Sequence, residues 1–157
     1  MSFASDIDKF TIKTGIKADM VVRKLGFQAL IGVMSRSPVD TGRFRASNHA
    51  TVDVPDLSVA PERPRKKKSG LKIGSTPTGA EPNFMAGMAR IAKAKIGQTI
   101  IISNNLVYAK VLEDGSSAQN SHAKDGIYGA SFAEIQGNFE KLVGEAKADA
   151  ESAPRAS

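Results

Sequence analysis

Ser37-Pro38-Val39-Asp40-Thr41-Gly42-Arg43 is the stretch on which the fold turns, because it closes one kind of structure and opens another. Pro38 has no N–H with which to continue a helix, and it biases Ser37 away from the α region. Asp40 can bond its side chain to the backbone two residues on, and Gly42 can supply a positive φ where the turn needs one. The run that follows, from Arg43 through Phe44, Ser47 and His49 to Val54, reads as an extended strand with imperfect alternation. Helix, tight turn and strand therefore make a compact corner.

Upstream of the corner, residues 1–36 read as helix, most clearly from Ile16 onward. At 100° per residue the apolar side chains fall into two stripes. Ala18, Val22, Leu25, Ala29 and Val33 form one, and Ile16, Met20, Phe27, Ile31 and Met34 form the other. A surface helix needs a single stripe to face its own sheet. The second must be covered by another part of this chain or by a neighbouring subunit, and Ile16, Met20, Phe27, Ile31 and Met34 are the residues such an interface would use.

Downstream, five of the seven prolines lie between Pro55 and Pro82, mixed with Ser, Gly and a basic run. This reads as a long loop over 55–82, with strand-like Leu71-Lys72-Ile73 on its return limb. Asn83 is placed to cap a short helix carrying Phe84, Met88, Ile91 and Ala92 on one face, which Gly97 would end. Gln98-Thr99-Ile100-Ile101-Ile102-Ser103 is β-branched and almost wholly apolar, the pattern of a central strand. Asn104-Asn105 turns the chain. Residues 106–113 form a short helix or strand that places Tyr108 and Glu113, and Gly115 closes it. Ser131 with Glu134 suggests a capping box. Phe132, Ile135, Phe139, Leu142 and Ala146 give the last helix one apolar stripe, and a polar, frayed tail is expected from Ala148. The chain thus reads as an α+β domain over 1–147: a long N-terminal helix on a small, mostly antiparallel sheet, a short middle helix and a C-terminal helix. The flexible tail would occupy 148–157.

In 157 residues, 41% hydrophobic, there is material for one core, mainly aliphatic because Trp is absent and Tyr occurs twice. The absence of cysteine excludes disulfides and thiolate chemistry, and fits a reducing cytoplasm. The opening Met-Ser-Phe-Ala-Ser-Asp does not read as a signal peptide, and no apolar run approaches the ~20 residues that span a bilayer. No membrane partner is expected. The net charge is +6, concentrated at Arg63, Arg65, Lys66, Lys67 and Lys68. Such a run is either a solvated loop or a contact for a partner or for DNA phosphates, without base reading, since no aromatic is interleaved and no helix-turn-helix pattern accompanies it.

Little in the chain suggests chemistry. His49 and His122 lie in unrelated contexts without metal-ligand spacing, so neither metal nor cofactor is expected. Glu113 and Asp114 are neighbours and point in different directions, which makes them a structural carboxylate and a turn residue. Ser37, Ser47 and Ser103 lack a nucleophile elbow. The segment from Gly70 to Thr76 has its lysine before the second glycine and is no phosphate loop. The sequence reads as a protein without catalysis.

Taken together, Ser37 to Arg43, Ile100 to Asn105, Tyr108-Ala109, Glu113-x-Gly115 and a C-terminal helix, in that order, resemble the tail-completion or neck proteins of long-tailed double-stranded-DNA phages. The resemblance covers about residues 5–54 and 83–147. Pro38, Asp40, Thr41, Gly42, Arg43, Asn104, Asn105, Tyr108, Glu113 and Gly115 carry its turn motifs. This chain departs from the family pattern at Asn48-His49, at Val107 where proline is common, and at Ser117-Ala118-Gln119-Asn120. The resemblance implies a ring of six subunits at the head-to-tail junction of the virion, assembled in the host cytoplasm. Its partners would be a portal-side head-completion adaptor, the tail tube or tail terminator, and genomic DNA in the channel. Two other readings stand beside it: a tail terminator capping the tube, and a small DNA-binding or packaging accessory protein.

Overall fold

A computed structural model describes residues 5, 17–39, 41–62, 81–115 and 126–152. Ile16, Asp40, the basic run from Arg63 to Lys68, Leu71-Lys72-Ile73, Ser117 to Asn120 and His122 lie outside the described residues. The described chain is α+β, as expected. Its elements are α1 (Ala18–Arg36), α2 (Arg43–Ala46), β1 (His49–Val52), α3 (Pro82–Ile91), β2 (Ile100–Ser103), α4 (Ala109–Glu113), α5 (Tyr128–Gly137) and α6 (Phe139–Ser152).

Helix α1 stops where Pro38 requires it to. Ser37 leaves the helical region at ψ 127°, and its N–H and hydroxyl both bond Val33 O, at 3.0 and 2.7 Å. Around α1 lie three apolar clusters. Val21 and Leu25 pack with Ile135, Leu142, Val143 and Ala146 of the C-terminal helices. Leu30 and Met34 pack with Ala50, Phe84 and Ile91. Val33 meets Phe44, Leu106 and Ile127. The first stripe and, of the second, Phe27, Ile31 and Met34 thus pack within the chain. Met34 is fully buried, and Phe27 and Ile31 pack against the second cluster. The expectation that Met34 faces a neighbouring subunit is corrected, since α3 and the sheet enclose it, whereas Phe27 and Ile31 keep part of their surface exposed. Each fully buried aliphatic here contributes about 1.5–3 kcal/mol relative to exposure.

The strand expected over 43–54 divides in two. Gly42 adopts φ 78°, as the turn reading anticipated, and Arg43–Ala46 winds into α2 before β1 begins at His49. Ala46 N bonds Gly42 O at 2.9 Å and the Ser47 hydroxyl closes on Arg43 O at 2.8 Å. Burying Phe44 in the third cluster favours this winding. β1 and β2 pair antiparallel, His49 opposite Ser103 and Val52 opposite Ile100. Among the described residues β2 is not the central strand its composition suggests. Among the described residues its one partner is β1, and its side chains are only partly buried.

Three termini also differ from expectation. α3 is entered through Glu81, with Pro82 at its first position, where the missing N–H costs nothing. Asn83 is therefore no cap; its amide donates to Ala46 O and ties α3 to α2. α3 ends at Ile91, before Gly97. No capping box forms at Ser131, which lies inside α5 and bonds Ile127 O at 2.6 Å, while Glu134 pairs with Arg36 at 2.6 Å. The C-terminal helix is two helices, broken at Asn138 and helical to Ser152, beyond the expected fraying point. Of the expected stripe, Ile135, Leu142 and Ala146 are buried, but Phe132 is 58% exposed. α3 lies close on β1 because Gly87 has no side chain: a Cβ there would come within 2.9 Å of Leu30 Cδ2 and 3.0 Å of Ala50 Cβ.

Candidate functional site

Described motif residues from separate segments meet at one polar corner. At its centre is Asn48, wholly buried. Its amide donates to Ser37 Oγ at 2.8 Å. Its carbonyl accepts from Asn104 Nδ2 at 3.0 Å and from the Tyr128 hydroxyl at 2.5 Å. Asn104 also donates to Phe44 O at 2.9 Å and accepts from Leu106 N at 3.2 Å. One amide thus joins the end of α1, the approach to β1, the exit from β2 and the start of α5. Buried polar groups that are fully paired fix a single arrangement of the segments they link. Burial, ahead of the other influences, pushes the Tyr128 phenol well above its ordinary range, so the hydroxyl stays a donor to Asn48.

Glu113 performs the second join. Its Oε2 accepts from Ile127 N at 2.7 Å and Tyr128 N at 2.8 Å, and its Oε1 accepts from Gly129 N at 2.8 Å. These are N–H groups of the first turn of α5, which have no partner within the helix. The carboxylate also sits at the positive end of the helix dipole. With its oxygens committed to three backbone donors, Glu113 is a structural carboxylate. Asp114 instead bonds Lys110 at 3.1 Å on the surface, and Gly115 turns the chain at φ 67°. Tyr108 lies 6.2 Å from Phe44, ring to ring, and its phenol is raised by burial.

The arginines of α2 form the outer part of the corner. Arg43 donates to Ala60 O at 2.9 Å and pairs with Glu62 at 3.0 Å. Arg45, buried, donates from Nε to Glu81 Oε2 at 3.1 Å, and its Nη2 lies 3.0 Å from Glu81 Oε1 as an ion pair. Glu62 and Glu81 flank residues 63–80 in sequence, so both ends of the stretch bearing the basic run are tethered to α2. Thr41 Oγ1 accepts from Arg43 N at 3.3 Å, Pro38 is buried, and Asn105 donates to Leu57 O at 3.1 Å.

Sequence reasoning missed one cluster. The His49 ring lies with Nδ1 3.5 Å from Asp56 Oδ2 and Nε2 3.4 Å from Ser58 Oγ. The residue types are those of a serine hydrolase, but the geometry is not. Ser58 directs its hydroxyl to Asp56 Oδ1 at 2.6 Å, and its N–H to the same oxygen at 3.0 Å. The carboxylate thus holds the serine directly as well as the ring, whereas in a triad the serine hydroxyl is bonded to the base alone. The carboxyl of Asp56 is held below its usual range, first by the Ser58 hydroxyl and N–H and then by His49 and Arg90. Asp56-x-Ser58 is a side-chain-capped turn, legible in sequence; the arrival of His49 depends on the β1 register. The hub role of Asn48 and Tyr128 was also missed, because it depends on contacts 80 residues apart.

Among the described residues no group of three or more His, Cys, Asp or Glu side chains is placed to hold a metal, and no helix is long and apolar enough to cross a membrane. A groove of about 530 Å³ runs between α1 and the α5–α6 pair, floored by Ile31, Gly32 and Ile135 and edged by Arg36, Glu134 and Lys141. Its charged edges are already engaged, Arg36 with Glu134 and Lys141 with Glu145. Compared with protein-family models, curated proteins and solved structures, the chain matches none.

Proposed function

We propose that this chain is a structural protein of a phage neck, one subunit of a ring that joins the DNA-filled head to the tail. The observation that carries the reading is the convergence of its motif residues. Described parts of the segments that resemble tail-completion proteins meet in one corner, where Ser37 accepts from Asn48, Asn104 donates to Phe44 O and Glu113 accepts from Ile127 N. A molecule that works by assembling needs such a rigid corner and no poised acid, base or nucleophile. The ring would be of six copies, with the portal-side adaptor on one face and the tail tube or its terminator on the other. Modest contacts repeated around a closed ring add up to a stable assembly. Because Met34 is wholly buried, the contact between copies does not use it.

Electron microscopy of a lysate from a phage with an early stop codon in this gene tests the reading. DNA-filled heads separated from normal tails are expected. Abnormally long tails would move the role to tail termination, and intact infectious particles would overturn both. The DNA-accessory reading draws its support from the +6 charge and the basic run at 63–68; it requires tight, salt-sensitive DNA binding by the free subunit, where a neck subunit needs only a weak contact.

A further inference from the structure

Among the described residues, every lysine and arginine but four meets a carboxylate within 4.0 Å. The exceptions are Lys17, Arg90, Lys93 and Lys95, and they are not scattered. Three fall within one stretch of six residues at the end of α3. The fourth enters α1, and two contacts bring α1 against that same stretch. Arg23 Nε donates to Ala94 O at 2.7 Å, and Ile96 N donates to Asp19 Oδ1 at 2.7 Å. Ala94 is buried, whereas Lys93 and Lys95 on either side of it are exposed, as is Lys17. Ala94 therefore anchors a turn that presents its flanking ammonium groups to solvent.

Among the described residues, neither nearby acid comes within 4.0 Å of a lysine of the cluster. Asp19 is shared between Ile96 N and Arg23, the latter at 3.7 Å. Asp53 accepts from Gln98 Nε2 and Thr99 N, both at 2.9 Å. Arg90 turns toward β1, donating to Ala50 O at 3.3 Å and lowering the pKa of Asp56 through space, so it flanks the cluster. Lys17, Lys93 and Lys95 are its centre. Elsewhere the described surface pairs its cations with anions, and here it leaves like charges together, a field that favours a polyanion.

We propose that Lys17, Lys93 and Lys95 form a contact surface for the phosphodiester backbone of double-stranded DNA, distinct from the basic run at 63–68. DNA is favoured over an anionic membrane because Ile96, 41% exposed, is the one large exposed apolar side chain between Arg90 and Gly97, too little area to anchor in lipid. The contact reads charge and not sequence, and in a single chain it is weak. It goes beyond the neck reading and does not require it: purified chain and DNA test this surface, whereas particle morphology tests the neck.

The experiment measures anisotropy of a short fluorescent duplex with the full chain, with K17Q/K93Q/K95Q, and with the charge-matched K110Q/K141Q/K147Q, whose lysines are paired. Three phosphate contacts steepen the plot of log affinity against log salt by about 2.7. Between about 50 and 200 mM salt the parent should therefore lose roughly forty-fold more affinity than K17Q/K93Q/K95Q does. The charge-matched variant should behave like the parent. Thermal melts establish that each variant is folded, as expected for exposed side chains. Equal losses in both variants would reduce the effect to net charge and overturn the proposal, as would an unchanged salt slope in K17Q/K93Q/K95Q or no parent binding at the lower salt. Sedimentation with phosphatidylserine-containing vesicles is the second arm; binding there, lost in K17Q/K93Q/K95Q, with none to the duplex would assign the surface to lipid instead.

Discussion

Replacing Glu113 by alanine removes one side chain and strands three backbone donors, and the structure allows the cost to be apportioned. The N–H groups of Ile127, Tyr128 and Gly129 lose acceptors at 2.7, 2.8 and 2.8 Å. Gly129 is exposed and Tyr128 partly so, and water can satisfy their donors after truncation; Ile127 is fully buried and its N–H cannot be reached so easily. An unsatisfied buried donor costs about 1–3 kcal/mol. Loss of a helix N-cap costs about 1 kcal/mol, and loss of negative charge at the helix N-terminus about 0.3–1 kcal/mol. The total is about 3 kcal/mol, which in a chain of this length lowers the melting temperature by about 6–12 °C. Circular dichroism melts at neutral pH measure it. Asp114→Asn is the internal comparison, because the exposed Asp114–Lys110 pair is worth about 0.3–0.5 kcal/mol. A melting temperature for Glu113→Ala within a degree of the parent, or a loss no larger than that of Asp114→Asn, would refute the assignment of Glu113 as the cap of α5.

Asn48→Ala should cost about 1–3 kcal/mol in urea denaturation, since it removes the acceptor of the part-buried Tyr128 hydroxyl and the donor to the buried Ser37 hydroxyl; a midpoint equal to the parent's would show that the hub is dispensable. Gly87→Ala should destabilise by about 1–3 kcal/mol, because the new methyl meets Leu30 and Ala50 at 2.9 and 3.0 Å in a packed core; unchanged stability would mean that α3 can move off β1. The raised pKa of Tyr128 makes the folded state hold its proton where the unfolded chain, with an ordinary value of 10.0, has lost it. That contribution is complete below pH 10 and is lost as pH rises above it. The stability of Tyr128→Phe should therefore fall less steeply than the parent's above pH 10, and parallel profiles would refute the burial argument. Absorbance titration of the two tyrosines provides a second check, with both expected to ionise above the usual range.

Local signals were read correctly where the physics is local. Pro38 ends α1 because it lacks a donor, and Gly42 turns at positive φ. The run Ile100–Ser103 is a strand, because β-branched side chains suit an extended backbone whatever surrounds them. The errors arose where two local tendencies are nearly equal and a distant contact decides between them. Arg43–Ala46 winds into α2 because Phe44 gains a place in the third cluster and Arg43 and Arg45 gain Glu62 and Glu81. Asn83 gives up capping because Pro82 precedes it and Ala46 O lies within reach.

The sequence by itself determined the α+β class, the helix stop at Pro38, the strand at 100–103 and the structural character of Glu113. All of these follow from the chemistry of a few adjacent residues. Only the tertiary structure decided that Met34 of the second stripe is covered from within, that Glu113 caps a helix beginning 15 residues later, and that Asn48 joins four segments. It also decided which cations go unpaired: α1 and the end of α3 meet without bringing a carboxylate to Lys17, Lys93 or Lys95. Those outcomes depend on which surfaces come together in space, and periodicity along the chain carries no information about that.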